Sequence, residues 1–237
     1  RKFKWGEMDA DENLVMMLII GLLPLFLLFL PIGGGMKIKD LADKWNSDGY
    51  LIITSISLLV TSFLLVIGIN ANRKTTILYK SHGKLRADGA GRRKLNPVDA
   101  VFIGLFQAVA AIFPGISRSG STLTAGELRK INKQRALDYS FVLGTPAIIA
   151  AALLEGKDAL FPADGSAVSI EFFPTLIGII TSAIVGFLAI RLFKWLLSTN
   201  RMYYFVLYTA GAGIICLVIS IICLLYTSPS PRDSTSS

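Results

Sequence analysis

Long apolar runs alternate along this chain with short connectors in which Lys and Arg gather. Four runs, residues 14–31, 50–69, 172–190 and 202–225, are long enough to span a hydrocarbon layer of about 30 Å, which takes about 20 residues of α-helix. Two weaker apolar segments, 97–114 and 136–154, are interrupted. Gln107 falls inside the first and Pro114-Gly115 ends it. Gly144 and Pro146 stand mid-run in the second, where a helix is expected to bend or break. The pattern predicts an all-α, polytopic membrane helix bundle forming a single transmembrane domain over residues 1–225. The remainder, 226–237, is polar, rich in Ser and Pro and without periodicity; it reads as a disordered tail, with a non-native origin left open.

Composition agrees: mean hydropathy is +0.59 and only 17% of residues are charged, against about a quarter in soluble domains. The net charge of +8 does not point to nucleic acid, because the cations sit at the ends of apolar runs rather than along one amphipathic face. Their placement instead orients the chain. Take a cytoplasmic N-terminus, one span out, one span back, and 97–128 as a re-entrant hairpin that enters and leaves on the cytoplasmic side. Eight cations in 73–94 and four in 129–135 then lie inside, with Arg1, Lys2, Lys4, Arg191, Lys194 and Arg201, eighteen in all. Five lie outside, namely Lys37, Lys39, Lys44, Lys157 and Arg232, and the last is Arg118. A single crossing by 97–128 would force one basic cluster through the membrane, so the hairpin is the predicted topology.

The start has no cleavable signal peptide: acidic EMDADEN separates the first cations from the first span, and with no initiator Met the chain reads as truncated. Cys216 and Cys223 share one face of the last span and read as packing residues. Gly178, Ser182 and Gly186 form a small-x-x-x-small stripe expected to let helices pack closely. Trp195, Tyr203 and Tyr204 read as interfacial belt residues. Glu155, Asp158, Asp164 and Glu171 read as a solvated external loop, and His82, the only histidine, as part of a solvated basic loop.

The chemistry concentrates in FPGISRSGST, residues 113–122, at the predicted hairpin tip. Irregular backbone at membrane depth is tolerated only where protein buries it or where it lines a watery cavity. An arginine there is costly, which makes a bound partner the default reading. Arg118 offers a planar fork suited to phosphate, and Ser117, Ser119, Ser121 and Thr122 add hydroxyls. Gly115 and Gly120 let backbone amides come close to a ligand. A helix starting near Ser119 would aim its free amides at the same place; TAGE, with Thr124 and Glu127, fits a capping box that would start it later. Gly115 and Gly120 have P-loop spacing, but Ser121 stands where that motif needs Lys.

These residues carry a resemblance. QAVAAIFPGISRSGSTLTAGEL followed by ALDYSFVLGTPAIIAAALLE resembles the second signature region of the undecaprenyl-diphosphate phosphatases, the bacitracin-resistance membrane proteins, with its P-G-x-S-R-S-x-x-T pattern. Pro114, Gly115, Ser117, Arg118, Ser119 and Thr122 fill the fixed positions, and Gln107 matches the Gln that opens the signature. The resemblance implies hydrolysis of a polyprenyl diphosphate to the monophosphate carrier used for envelope polymers, in the bacterial plasma membrane. It implies an inverted repeat whose two re-entrant tips meet near the midplane. Arg118, Ser117 and Thr122 would be catalytic, and Gly115, Ser119, Gly120, Ser121 and Gln107 would bind substrate.

The family's first signature, a Glu-rich element followed by P-x-S-S-x-G-H, is not found in this sequence. It supplies the carboxylates, serine and histidine assigned to catalysis, so residues 1–237 alone are expected to be inactive. A divalent cation, Mg²⁺ or Ca²⁺, is implied by the family, with no ligand identified among these residues. Asp99 and Glu127 flank the tip and read as helix-end residues. The expected partners are the polyprenyl diphosphate and membrane lipid, with a homo-oligomer left open and nucleic acid not among them. A transporter or binder of an anionic substrate or polyprenyl-phosphate lipid is the alternative.

Overall fold

The computed structural model describes residues 9–29, 51–85, 89–160 and 172–227. Seven α-helices are present among them: α1 (Ala10–Phe26, continued by a 3₁₀ turn at Leu27–Phe29), α2 (Leu51–Ser81), α3 (Pro97–Ile112), α4 (Arg118–Leu128), α5 (Lys133–Leu160), α6 (Phe172–Ser198) and α7 (Met202–Thr227). Leu51–Ser81, Lys133–Leu153, Phe173–Ser198 and Met202–Leu224 are long and apolar enough to cross a membrane. The chain is therefore an all-α, multi-pass membrane protein.

Helix ends follow local chemistry. Asn96 and Asp99 form a capping box at the start of α3, with Asn96 Oδ1 accepting from the Asp99 amide at 2.7 Å and Asp99 Oδ2 from the Asn96 amide at 3.0 Å. Pro97 follows at the first helical position, where its missing N–H costs nothing. Asn132 accepts from the amides of Gln134 and Arg135 and so starts α5.

Between helices in lipid the hydrophobic effect contributes little, so close backbone approach and hydrogen bonds carry the packing. α1, α3 and α5 meet this way. Gly104 lies against the Gly21 carbonyl, Gly21 against the Tyr139 hydroxyl, and that hydroxyl donates to Met17 O at 2.6 Å. Met17, Ile103, Leu123, Tyr139 and Leu143 fill the core among α1, α3, α4 and α5. α2 joins α4 through Thr124, whose hydroxyl donates to Leu64 O at 3.1 Å, and α7 through Ser62, which donates to Val206 O at 3.1 Å.

The hairpin α3–α4 is closed at its root. Asp99, fully buried, pairs with Arg92 at 3.0 Å and with Arg129 at 2.7 Å. Burial pushes its carboxyl up, but hydrogen bonds from Arg92, Asn96 and Arg129 outweigh this and hold it below the usual carboxylate range. The connectors before α3 and after α4 also exchange backbone bonds, Arg92 N to Lys130 O at 2.9 Å and Asn132 N to Arg92 O at 2.8 Å. Both ends of the segment therefore lie together, as the charge distribution required. The 11 residues of α4 rise about 16 Å, half the thickness of a bilayer core, so a hairpin rooted at the membrane surface would bring its tip near mid-depth.

Several expectations shift. α2 runs twelve residues beyond the predicted 69, because NANRKTTILYKS remains helical as it leaves the apolar zone. Gly144 and Pro146 do not end α5, which is assigned as helix throughout. The helix after the tip starts at Arg118, and TAGE is no cap: Thr124 is mid-helix with its hydroxyl spent on Leu64 O. Nothing described packs on the Gly178–Ser182–Gly186 stripe; residues 173–192 are exposed and a methyl group at Gly178 or Gly186 would meet open space. Trp195, Tyr203 and Tyr204 are exposed as belt residues should be, with Arg201 5.4 Å above the Trp195 ring. No disulfide joins Cys216 and Cys223 among the described residues. Lys37, Lys39, Lys44, Asp164, Glu171 and the tail from 228 lie outside the described residues, and 226–227 close α7.

Two measurements follow. With Cys216 and Cys223 replaced, single cysteines placed in 73–94 and in 129–135 are expected to react with an impermeant reagent from the same side. Labelling from opposite sides would contradict the closed root. Asp99→Asn is expected to cost about 1–3 kcal/mol, because it strands two arginines that are themselves 35–40% exposed and so keep part of their solvation. Thermal unfolding in detergent measures this.

Candidate functional site

The tip is built by three interruptions in six residues. Phe113 takes an extended conformation at the C-cap of α3, and Pro114 follows it. Gly115 then turns the chain with φ +95°, a region that favours glycine, and a Cβ there would sit 2.7 Å from Thr54 O on α2. Ser117 is the N-cap of α4, its Oγ accepting from the Gly120 amide at 3.1 Å. Arg118 is therefore the first helical residue, directly at the positive end of a helix.

Donors are left open there. Among the described residues nothing accepts from the backbone amides of Arg118 or Ser119, and no group pairs with the Arg118 guanidinium. Arg118 is half-buried, with its Nε 4.0 Å from where a Cβ of Gly144 on α5 would be. The arginine thus lies alongside α5 at Gly144, where even a methyl group would make only an ordinary contact with it. A cation, two free amides, the hydroxyls of Ser117 and Ser119 and a helix dipole converge at the tip, a donor set made for a multiply charged anion.

The other predicted residues stand behind this edge. Gly120 is buried against the Ser117 side chain, the close contact that its cap requires. Thr122 is 1% exposed; its hydroxyl donates to Arg118 O at 2.9 Å and lies 2.5 Å from Ser140 Oγ. As placed, it ties the first turn of α4 to α5 rather than facing the open edge. Ser121 and Gln107 are buried, and Ser121 Oγ and both Gln107 amide atoms have no hydrogen-bond partner. An orphan of this kind costs about 1–3 kcal/mol, which marks these two for a water or a ligand.

Two contributors were missed in the sequence. Ser140 donates to Ser119 O at 3.3 Å, and Thr61 of α2 holds the turn itself, donating to Gly115 O at 3.2 Å and accepting from the Ser117 amide at 2.9 Å. The only available signal was a hydroxyl inside an apolar run, which also describes residues that merely bond back to their own helix.

Carboxylates lie elsewhere. Asp99 is spent on the root arginines, and Glu127 stands nine residues along α4 from Arg118, about 13 Å by helical rise. His82 is in an exposed turn, its Nδ1 2.7 Å from Leu78 O. No group of three or more His, Cys, Asp or Glu that could hold a metal occurs among the described residues. A tip of guanidinium, amides and hydroxyls fits an anion; with no carboxylate at the tip, these residues would not hold a divalent cation by themselves, though a hydroxyl could join waters and phosphate oxygens around one.

A closed helical hairpin that turns at an unpaired arginine on a helix N-terminus, set among helices long enough to cross, defines a class: multi-pass α-helical membrane proteins with a helical hairpin between their spans. The sequence profile of the bacitracin resistance protein BacA family matches residues 1–215, and the chain belongs to that family. "Undecaprenyl-diphosphatase 4" of Bacillus thuringiensis subsp. konkukian is 32% identical over 222 residues, 92% of this chain and 74% of its own length. "Undecaprenyl-diphosphatase" of Cutibacterium acnes is 38% identical over 130 residues, 54% of this chain and 46% of its own. The protein of that name from Alkaliphilus metalliredigens is 36% identical over 169 residues, 69% of this chain and 59% of its own.

Gln107→Leu removes the buried orphan amide at similar volume and is expected to raise stability by about 1 kcal/mol or more, seen as a higher melting temperature in detergent. Gly115→Ala is expected to lower it by about 1–3 kcal/mol, since φ +95° and the Thr54 carbonyl both oppose a side chain.

Proposed function

We propose that this chain carries the diphosphate-binding tip of an undecaprenyl-diphosphate phosphatase of the bacterial plasma membrane. The enzyme hydrolyses undecaprenyl diphosphate to undecaprenyl phosphate and inorganic phosphate, which recycles the lipid carrier and, as the family name suggests, confers resistance to bacitracin. The observation that carries this reading is the half-buried, unpaired Arg118 at the N-terminus of α4, beside two backbone amides that no described group accepts from. Names of relatives that match up to 92% of the chain agree with it.

In the reaction, water adds to the terminal phosphorus, the bridging P–O bond breaks, and the lipid monophosphate leaves with the bridging oxygen. Negative charge grows on that oxygen and on the transferred group. Arg118 receives two phosphate oxygens through its fork, and the amides of Arg118 and Ser119 with the Ser117 and Ser119 hydroxyls take others. These groups are held in place before the substrate arrives, so they stabilise developing charge without reorganising. Thr122 and Ser140 keep the first turn of α4 in position. Among the described residues the tip itself holds no base, so the proton of the attacking water goes to a group beyond the tip.

Arg118→Lys in the full-length protein is expected to lower kcat/KM for a polyprenyl diphosphate on the order of 10²-fold, because an ammonium cannot reproduce a bidentate fork. Phosphate release in detergent measures it. Turnover close to that of the unchanged protein would remove Arg118 from the site, and substrate movement across liposomes without phosphate release would favour a transporter.

A further inference from the structure

The hydroxyls of α2 fall into two groups. Ser55, Thr75 and Thr76 each donate to a carbonyl one turn back on their own helix, Leu51 O, Ala71 O and Asn72 O, and need no further account. Thr61 does not. It is 2% exposed, and its single hydroxyl uses its proton on Gly115 O at 3.2 Å and a lone pair on the Ser117 amide at 2.9 Å. One side-chain atom thereby satisfies two backbone groups on either side of Ile116, in a stretch where helix bonding is broken and lipid offers none. Threonine is suited to this because its branched Cβ restricts χ1 in a helix. The same face of α2 brings the Thr54 carbonyl and the Ser57 side chain against Gly115, so the turn is seated as well as pinned.

We propose that Thr61 is a positioning residue for the anion-receiving tip. It fixes the carbonyl before Ile116 and the amide of the N-cap, and so sets the direction in which Arg118 and the first two amides of α4 point. This deepens the function proposed above and rests on it for its kinetic consequences. Thr61 touches no substrate atom; it acts through Ser117 and Arg118.

The experiment compares Thr61→Val with Thr61→Ser in the full-length protein. The valine keeps the shape and removes both bonds; the serine keeps the hydroxyl. Thr61→Val is expected to lower kcat/KM for a polyprenyl diphosphate roughly 10- to 100-fold, the scale of a misplacement of about 1 Å, while Thr61→Ser stays within about threefold. Joined to Arg118→Lys, Thr61→Val is expected to add less than about threefold, since a positioning residue has little left to position. Full turnover by Thr61→Val, no rescue by Thr61→Ser, or losses that multiply in the double variant would each overturn the proposal. Amide exchange over the tip gives a readout without activity. It should quicken at Ser117 in Thr61→Val and return to the original rate in Thr61→Ser, and unchanged exchange would also overturn the proposal. Should the unchanged protein release no phosphate, the phosphatase reading falls while the exchange test still decides on Thr61. Thr61→Ala is the second probe where the valine variant is not recovered monodisperse.

Discussion

A peptide group that leaves its helix in hydrocarbon must find another partner, and this constraint governs the hairpin from root to tip. At the root the chain leaves α4 and enters α5 through bonds between the two connectors, and Asp99 closes the gap between two arginines. At the tip the helix stops in mid-membrane, where no second connector exists to bond with. Side chains take that role: Thr61 serves Gly115 and Ser117, and Ser117 serves Gly120. What they leave unserved, the amides of Arg118 and Ser119, is the part of the backbone that a ligand can occupy.

The placement of the site follows from helix lengths as much as from its residues. α4 has 11 residues against 31 in α2, about a third of that helix and about half of the roughly 30 Å that a hydrocarbon core measures. Its N-terminus therefore presents a positive dipole end at a depth with few screening ions or waters, where a given charge acts more strongly than at the surface. A longer α4 would have carried Arg118 to the far interface, where it would be one more solvated cation.

Much of this was legible from residue order. Three of the four long apolar runs marked helices long enough to cross, while 14–31 gave the 17-residue α1 and the interrupted run 136–154 gave a fourth helix of crossing length; the basic clusters required 97–128 to fold back, and the break at Pro114-Gly115 with Arg118 behind it marked the tip. The exact start of α4 was not, because Ser117 and Thr124 both head plausible caps and only the tertiary bond from Thr124 to Leu64 O removes one of them. The small-residue stripe on α6 misled for a related reason. Gly178, Ser182 and Gly186 show where a close approach is sterically allowed, and the approach actually made, at Gly21 and Gly104, has no such periodic mark. Thr61 was illegible because its role lies in a contact 54 and 56 residues away along the chain.

Burial and pairing together set Arg118 apart from the other cations. Arg92 and Arg129 share Asp99, Arg135 meets Asp11, Lys194 meets Asp138, and Lys133 is held by Leu197 O and Asn200. All of these lie at the hairpin root or at the neighbouring helix ends; the exposed pairs contribute little singly and align helix ends, while the buried Asp99 closes the root. Arg118 is half-buried and without a partner among the described residues, whereas the other unpaired cations, such as Arg73, Lys74 and Lys130, are exposed. Desolvating a guanidinium without compensation is unfavourable, and folding alone gives no reason to keep it there. In the function proposed here a bound diphosphate would supply that compensation. The free energy withheld from folding at this position would then be available to hold the anion, most of all as charge builds up on the leaving oxygen.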